Sequence, residues 1–407
     1  MVERALTRSV TRGWSALPTA LRIGILYLAA RLVTTALLLL AGSLSGPSSR
    51  FGVAPSLGEY VVAWDAQWYW FLAVHGYPTT LPLTDLGQVA ENQWAFMPIY
   101  AYLSAAVGAP FGSWGLGAFL VAFIAGYFAC LALYRLLRLR QDRAASTWAV
   151  LFFAAGPLAA LFQVGYGESL FLLWLFLALW CVSRRRFGWV YLLIPLMGYT
   201  RPGVLAFALF LGLFGIWRWF TRRRDPLPVR EIMHIVALGG LAVLVGFSWQ
   251  ILAGVATGDP SAYLSTELAW RRNWLSESIV SFVPFEGMVQ GIAYWFDMWG
   301  LGAAAGFVIV GLGVSGLVAL LLFSRHVRAV GVEVRLWSAS YLLYLFAVFF
   351  PQSSVFRLLV PLSPLWGAVA APRSTVYRGA VLALCLAGQW WWIYNMYALG
   401  NTYWQIP

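Results

Sequence analysis

Long apolar runs recur along the whole chain, and the short segments between them carry most of its charge. A run of about 18 or more apolar residues is long enough to cross the hydrocarbon core of a bilayer as a helix. A transmembrane β-barrel would instead show short segments of alternating hydrophobicity. The pattern therefore predicts an all-α polytopic membrane protein.

The hydrophobic pattern predicts eleven membrane spans, each with ends placed to within a few residues. Segment 96–111 is apolar but short and has a proline near each end, so we expect it to be interfacial or re-entrant. We expect the whole chain, residues 1–407, to form one transmembrane domain. The predicted spans are 22–44, 115–137, 144–163, 168–183, 187–200, 203–220, 232–254, 301–323, 336–350, 355–371 and 379–399.

The arginines set the predicted orientation of the chain. All 27 basic residues are arginine, and 21 of them lie in segments that face the cytoplasm if the N-terminus is inside. Because positively charged loops stay on the cytoplasmic side, the distribution favours eleven crossings with the C-terminus outside. Two large loops, at about 45–114 and 255–300, then face outward. The net charge of +12 is interpreted as topology-setting loop charge, not as a nucleic-acid-binding surface.

Composition excludes the common soluble enzymes. The chain is 61% hydrophobic and only 10% charged, whereas soluble domains are roughly 25% charged. It contains no glycine-rich phosphate loop, no His-Glu-x-x-His, no paired cysteines at metal-binding spacing and no Gly-x-Ser-x-Gly. The three cysteines fall inside apolar runs and are interpreted as small core residues. If the protein is an enzyme, we expect its substrates to arrive on lipid.

Unusual polar residues collect in the segments predicted to face outward, where burial of ionisable groups at the membrane is costly and marks candidate function. The candidates are Asp65, His75, Asn92, Glu168, Arg201 and Arg357. Residues 265–274, "STELAWRRNW", have the pattern of an amphipathic interfacial helix with a tryptophan anchor. Contact of its Glu267, Arg271 and Arg272 with an acceptor or a lipid phosphate is left open. Arg31 lies inside the first predicted span, where a partner acid in the bundle is expected.

Each candidate also has a purely structural interpretation, which the sequence leaves open. Asp65 is a good N-cap for a helix that begins at Ala66, and His75 is suited to closing the turn that follows. Glu168 near a helix start suits the helix dipole. Arg201 and Arg357 are able to extend along apolar surface to the membrane interface.

Five sequence segments occur in the order found in a known membrane enzyme family. "WDAQWYWFLAVHGYP" (64–78) is followed by "ENQWAFMPIYAYL" (91–103), and then come "GYGESLF" (165–171), "YTRPGV" (199–204) and "SSVFRLLVPLSPL" (353–365). Together they resemble the PIG-V family of mannosyltransferases over roughly residues 60 to 370. The sequence departs from the family pattern at Met97, Gly167 and Pro202.

The resemblance implies a GT-C-like bundle with a large first outer loop. It implies an inverting transfer of mannose from a polyprenyl-phosphate-mannose donor to a lipid-linked, glycan or protein acceptor on the outer face. Such a reaction needs a base near the acceptor hydroxyl and cations for the phosphate leaving group. By this resemblance Asp65 is the general base, and Arg201 and Arg357 bind the donor phosphate.

The resemblance also gives roles to the other candidates. His75, Asn92 and Glu168 would orient the sugars, and the aromatic residues Trp64, Trp68 and Tyr69 would provide stacking faces or membrane anchors. No cofactor or metal-binding cluster is evident in the sequence. A lone divalent cation that bridges Asp65 and a donor phosphate is left open.

Two other functions remain as alternatives at this point. A transporter or flippase of a lipid-linked sugar would share the polar outer face, although the chain shows no internal repeat. A non-catalytic membrane scaffold would have no need for a lone aspartate in an aromatic loop. The use of arginine alone as the basic residue is typical of a GC-rich bacterial genome and hence of a bacterial plasma membrane, with the site outside.

Overall fold

A computed structural model of the chain describes residues 17–275, 281–405 and 407. Helices and their connections make up these residues, in which the one extended pairing is an isolated bridge between Leu83 and Val89. The all-α class predicted from the hydrophobic pattern is therefore confirmed. The N-terminal segment 1–16, which the arginine distribution assigns to the cytoplasm, lies outside the described residues.

In the part of the chain that the structure describes, five helices are long and apolar enough to cross a membrane: Thr19–Leu44, Trp114–Leu137, Val204–Thr221, Val229–Thr257 and Ala303–Phe323. The last of these is apolar on all sides and mostly unburied, with Leu312 69% and Phe323 73% exposed. A helix with such a surface is stable in lipid and not in water. The chain is therefore an integral membrane protein, while its orientation and the eleven crossings stay predictions.

Other predicted spans correspond to the helices Arg143–Ala154, Glu168–Ser183, Phe187–Gly198, Val332–Val348 and Thr375–Ile393. Two predicted spans are interrupted. The 144–163 span breaks after Ala154 and resumes as the 3-10 turn Ala159–Phe162, because Pro157 cannot continue a helix. The 355–371 span consists of the pieces Val355–Leu358, Val360–Leu365 and Trp366–Ala370, with two prolines in the middle piece. The last span ends in the π-helix Tyr394–Leu399.

Helices also form within the two large loops. The first loop contains Leu57–Val61, Asp65–His75 and Pro98–Gly108, and the second contains Ala262–Arg272 and Glu286–Met298. Gly117 lets Pro98–Gly108 pack closely on the helix that follows, since a Cβ there would lie 2.0 Å from the Ser104 carbonyl. The amphipathic helix predicted around 265–274 is observed as Ala262–Arg272.

Arg31 has no acid partner within the described bundle. Its guanidinium donates to the carbonyl oxygens of Ala154 and Ala159, on either side of the break after the Arg143–Ala154 helix. It also lies 5.0 Å from the centre of the Phe162 ring. Carbonyl groups at a helix end lack partners within the helix and carry partial negative charge. A broken helix end thus takes the place of the carboxylate expected from the sequence.

Candidate active site

Four charged residues that are far apart in sequence form one ion-pair network. Arg357 contacts the carboxylates of Asp65 and Glu168, with 3.4 Å between its Nη1 and Glu168 Oε1. The same Glu168 oxygen contacts Nη1 of Arg201. Glu168 is only 4% exposed and both arginines are 12% exposed, whereas Asp65 is 27% exposed. Asp65 is therefore the member of the network that is most open to a substrate.

The network lies where several helices begin or end. Asp65 and Glu168 are the first residues of the Asp65–His75 and Glu168–Ser183 helices. Arg201 lies in the turn between Phe187–Gly198 and Val204–Thr221, and Arg357 is in the short helix after Val332–Val348. The fold thus brings together all four charged residues that the sequence singled out as candidates, while their roles stay predictions.

Asp65 does not cap its own helix. Its carboxylate contacts Arg357, and the helix start has no side-chain cap, which contradicts the interpretation of Asp65 as a helix cap. Trp64 precedes it with a φ of +56°, a strained conformation for a bulky residue. The Trp64 indole donates to the Met396 carbonyl at 2.9 Å, and its ring lies under the Arg50 guanidinium. Trp64 is thus a buried anchor for the loop.

A glycine allows the close approach of Tyr69 to Glu168. A Cβ on Gly167 would lie 3.2 Å from the Tyr69 hydroxyl and 3.5 Å from Cβ of Tyr100. Tyr69 is buried, and its ring packs edge-on against Tyr100 and Phe96 at 5.0 and 5.1 Å. The departure from the family pattern at position 167 is therefore matched by tight packing beside the network.

The two arginines are held in different ways. Burial lowers the pKa of Arg201, but the adjacent Glu168 carboxylate raises it, and the net direction is upward. Arg201 therefore remains a cation at any physiological pH. The Arg357 guanidinium lies 5.1 Å from the centre of the Tyr166 ring, in a cation–π contact. Both guanidinium groups are thus fixed in position.

Part of the hydrogen-bonding capacity of the network is unused. Nε of Arg357 and Oε1 of Glu168 are both buried, and neither makes a hydrogen bond of normal geometry within the described residues. Glu168 Oε1 has ion contacts alone. Buried polar atoms in native proteins are nearly always hydrogen-bonded, so the unpaired Nε of Arg357 is available to a water molecule or a polar ligand.

Two candidates lie away from the network. His75 is the last residue of the Asp65–His75 helix, so about ten residues at 1.5 Å each separate it from Asp65. It is exposed, and its ring packs on Phe71 at 4.4 Å. Asn92 is buried and uses its amide to accept from the Trp94 N–H and to donate to Thr266 Oγ1 at 2.8 Å. Neither residue contacts the ion-pair network.

Trp68 borders a large cavity on the flank of the bundle. The cavity has a volume of about 1260 Å³ and lies between the Asp65–His75 helix and the long helices Thr19–Leu44 and Trp114–Leu137. Its lining is mainly apolar and includes Phe71. The Trp68 ring itself stacks on Phe96 at 5.8 Å. The flank of the bundle therefore offers space of the size and polarity that a lipid chain needs.

Sequence reasoning missed two tyrosines of the site. The Tyr166 hydroxyl accepts a hydrogen bond from the Asp65 N–H at 3.4 Å, and its ring lies under Arg357. The Tyr341 hydroxyl donates to the Leu358 carbonyl at 2.7 Å, beside Arg357. Tyr166 stands inside the motif "GYGES", so its neighbour Glu168 was a signal. Tyr341 lies in an apolar span, where nothing in the sequence distinguishes it from a core aromatic.

Comparisons with known proteins give a limited likeness. No protein-family model matches the chain, and no curated protein matches it. Among solved structures it is similar to the oligosaccharyltransferase of Archaeoglobus fulgidus in complex with zinc and sulfate, with 14% identity and a TM-score of 0.43 over 88% of this chain and 51% of that one.

The oligosaccharyltransferase AglB of Archaeoglobus fulgidus, in complex with an inhibitory peptide and a dolichol-phosphate, is similar at 13% identity. Its TM-score is also 0.43, over 93% of this chain and 56% of that one. The chain thus spans about half the length of these solved structures. The function proposed below rests on the ion-pair network and the sequence motifs rather than on this likeness.

Residues suited to a metal ion do not cluster in the part of the chain that the structure describes. Within 17–275, 281–405 and 407, no group of three or more histidine, cysteine, aspartate or glutamate side chains is placed to hold one. The two carboxylates of the network face guanidinium groups instead. The positive charge beside Asp65 is therefore supplied by arginine in this structure.

Proposed function

We propose that the protein is an inverting membrane glycosyltransferase that moves mannose from a polyprenyl-phosphate-mannose donor to a lipid-linked, glycan or protein acceptor. The single observation that carries the proposal is the contact of Arg357 with two carboxylates, Asp65 and Glu168, that come from distant parts of the chain. The resemblance of the motifs around these residues to the PIG-V family supports mannose as the sugar. We place the site on the outer face of a bacterial plasma membrane.

In this proposal the donor phosphate binds the two arginines. A guanidinium presents paired N–H groups that match the oxygens of a phosphate, and fixed cations stabilise the charge that develops on the leaving group. Glu168 contacts both Arg201 and Arg357 and so holds them at a set spacing. Its role is therefore to position the arginines rather than to orient a sugar directly.

Asp65 acts as the general base in the same proposal. In the structure its carboxylate is engaged by the Arg357 guanidinium. The donor phosphate competes for Arg357 and releases Asp65. The acceptor oxygen then bonds to C1 of the mannose, its proton passes to Asp65, and the C1–O bond to the phosphate breaks. Polyprenyl phosphate is the leaving group, and the two arginines stabilise its negative charge.

The cavity beside Trp68 completes the proposal. It lies against the helix that begins with Asp65, and it is bordered by two helices long enough to cross the membrane. A prenyl chain is wholly apolar and is stabilised by such surroundings. We propose that this cavity takes the lipid chain of a substrate while its polar end reaches the network.

The proposal is tested by transfer from radiolabelled polyprenyl-phosphate mannose with purified protein in nanodiscs and a bacterial membrane extract as acceptor. We expect a covalent mannosylated product with wild type, and a rate lower by about 10²–10⁴-fold with Asp65→Asn, as for loss of a general base. Asp85→Asn, in an exposed part of the same loop, is the matched control and should keep the wild-type rate.

Near wild-type transfer by Asp65→Asn would show that Asp65 is not the general base. Movement of the intact donor across a vesicle membrane, with no covalent product, would instead identify a flippase. Addition of EDTA to the same assay tests whether a divalent cation bridges Asp65 and the phosphate. We expect no loss of rate, because Arg357 already supplies the positive charge beside Asp65.

A further inference from the structure

The Ala262–Arg272 helix is held against the first large loop by contacts on one face. Thr266 accepts a hydrogen bond from the Asn92 amide at 2.8 Å. The Trp270 ring packs edge-on against Trp68 at 5.8 Å and against Phe96 at 6.0 Å. Since Trp68 is one turn after Asp65, this helix lies against the element that carries the proposed base.

Glu267 stands beside Thr266 on this helix and has a different environment from the carboxylates of the network. It is half-buried, and its carboxylate accepts a hydrogen bond from Tyr263. No arginine of residues 17–275 or 281–405 forms an ion pair with it. Arg271, one turn further along, instead contacts Glu286 at 3.9 Å, and Arg272 donates to the Val89 carbonyl. Glu267 is thus a carboxylate without a cationic partner.

Tyrosines connect Glu267 to the ion-pair network. Tyr344 lies close enough to Glu267 and to Arg201 to interact electrostatically with both. The Tyr344 ring is 6.4 Å from that of Tyr341, which in turn interacts with Arg201 and Glu168. Glu267 is therefore connected to Arg201 through one tyrosine, Tyr344.

We infer that Glu267 binds the acceptor, by accepting hydrogen bonds from neighbouring hydroxyl groups of a sugar. This inference rests on the proposed function and names the chemical class of its acceptor. A carboxylate has two oxygens that accept hydrogen bonds from a pair of adjacent hydroxyls, and the Tyr263 hydroxyl adds a further polar group. The nearby Trp270 adds an aromatic ring, which combines an apolar face with a polar edge.

The inference has a pH dependence with a definite sign. Burial raises the pKa of Glu267 to about 7, and the Tyr263 hydrogen bond offsets only part of this. The other ionisable groups that face it are Tyr344 and, beyond that, Arg201, which do not change charge near neutral pH. Below pH 7 the carboxylate becomes protonated and loses acceptor capacity, so sugar binding should weaken as the pH falls.

The test measures binding of methyl α-D-mannopyranoside to the full-length protein in nanodiscs by saturation-transfer NMR. We expect the wild-type affinity to fall about tenfold between about pH 8.5 and about pH 6, because only a tenth of a group with pKa 7 is ionised at pH 6. Glu267→Gln keeps a hydrogen-bond acceptor for Tyr263 but should bind weakly at both pH values. Asp85→Asn should follow the wild type.

Three results would overturn the inference: wild-type affinity that does not change with pH, equal affinity of wild type and Glu267→Gln, or no binding of the sugar by wild type. Circular dichroism and thermal unfolding of Glu267→Gln show whether it is folded. The test is separate from that of the proposed function, since it uses no donor. Sugar binding that depends on Glu267, without any mannose transfer, would support the inference and contradict the proposed glycosyltransferase activity.

Discussion

Two clusters of two arginines and two acids lie at opposite ends of the same helices, and they are built differently. In the one that we call the loop cluster, Arg185, Arg218, Asp225 and Glu231 are all within one short stretch of sequence. Arg218 is fully buried, with its Nε 2.7 Å from Glu231 and its Nη1 2.9 Å from Asp225. It also donates to the Pro226 carbonyl at 2.8 Å.

The candidate active site is assembled from four distant segments instead. Asp65 and Arg357 are separated by 292 residues, and Arg357 leaves its Nε without a hydrogen bond. Asp65 is 27% exposed. In the loop cluster the charged groups are paired with one another and connect a turn to a helix. In the active-site cluster one hydrogen-bond donor, Nε of Arg357, stays unpaired within the described residues. The same set of two arginines, one aspartate and one glutamate thus serves stability at one end and, in our proposal, chemistry at the other.

The largest expected effect is on stability, and it belongs to the loop cluster. Arg218→Ala would leave Glu231 buried at 4% exposure with only the half-exposed Arg185 as partner. Removal of one partner from a buried ion pair costs about 3–5 kcal/mol. We expect a large fall in the thermal unfolding midpoint in detergent. Arg185→Ala, at a 38% exposed side chain, should cost about 1 kcal/mol or less.

The active-site cluster should show the reverse pattern. Arg201→Gln leaves Glu168 in contact with the buried Arg357, so we expect a smaller loss of thermal stability than for Arg218→Ala. The donor KM should rise about 10–100-fold, the equivalent of a lost hydrogen bond to a charged group at about 1.5–3 kcal/mol. Arg222→Gln, an exposed arginine near the loop cluster, is the control. A donor KM that is unchanged in Arg201→Gln would show that Arg201 does not bind the donor phosphate.

A smaller effect concerns Glu267 and stability. Its pKa is raised to about 7, so the folded protein binds a proton more tightly than the unfolded chain. Stability is therefore greatest below the unfolded pKa and falls as the pH rises toward 7, with no further change above. We expect the free energy of unfolding of the wild type to fall on the order of 1 kcal/mol between pH 5 and 8, and that of Glu267→Gln to lack this fall. Parallel unfolding midpoints for variant and wild type would contradict the raised pKa.

Much of the fold was predictable because a helix that spans a membrane needs a continuous run of apolar residues, which is visible in the sequence. The Glu168–Ser183 helix was predicted to the residue, and Thr19–Leu44 and Ala303–Phe323 to within a few residues. The Glu286–Met298 helix was missed, since its apolar residues are too few for a span. The partner of Arg31 was missed because it is a helix end, which is a tertiary feature with no residue type to signal it.

The site was predictable in part, for a related reason. An ionisable residue in an apolar chain is conspicuous, and Asp65, Glu168, Arg201 and Arg357 were found by this signal. His75 was grouped with them from its closeness in sequence, but eleven residues of helix carry it to the far end. Glu267 was assigned to an interfacial helix, because its approach to Tyr344 depends on how two distant helices pack.

The most direct test of the account measures binding of polyprenyl phosphate to purified wild type, Asp65→Asn and Arg357→Gln. The central claim is that Asp65 and a phosphate compete for Arg357. Asp65→Asn should therefore bind polyprenyl phosphate more tightly than wild type, by about 3–10-fold, although its transfer rate is lower by about 10²–10⁴-fold. Arg357→Gln should bind it more weakly, by about 10–100-fold. Weaker or unchanged binding by Asp65→Asn would contradict the competition and with it the proposed mechanism.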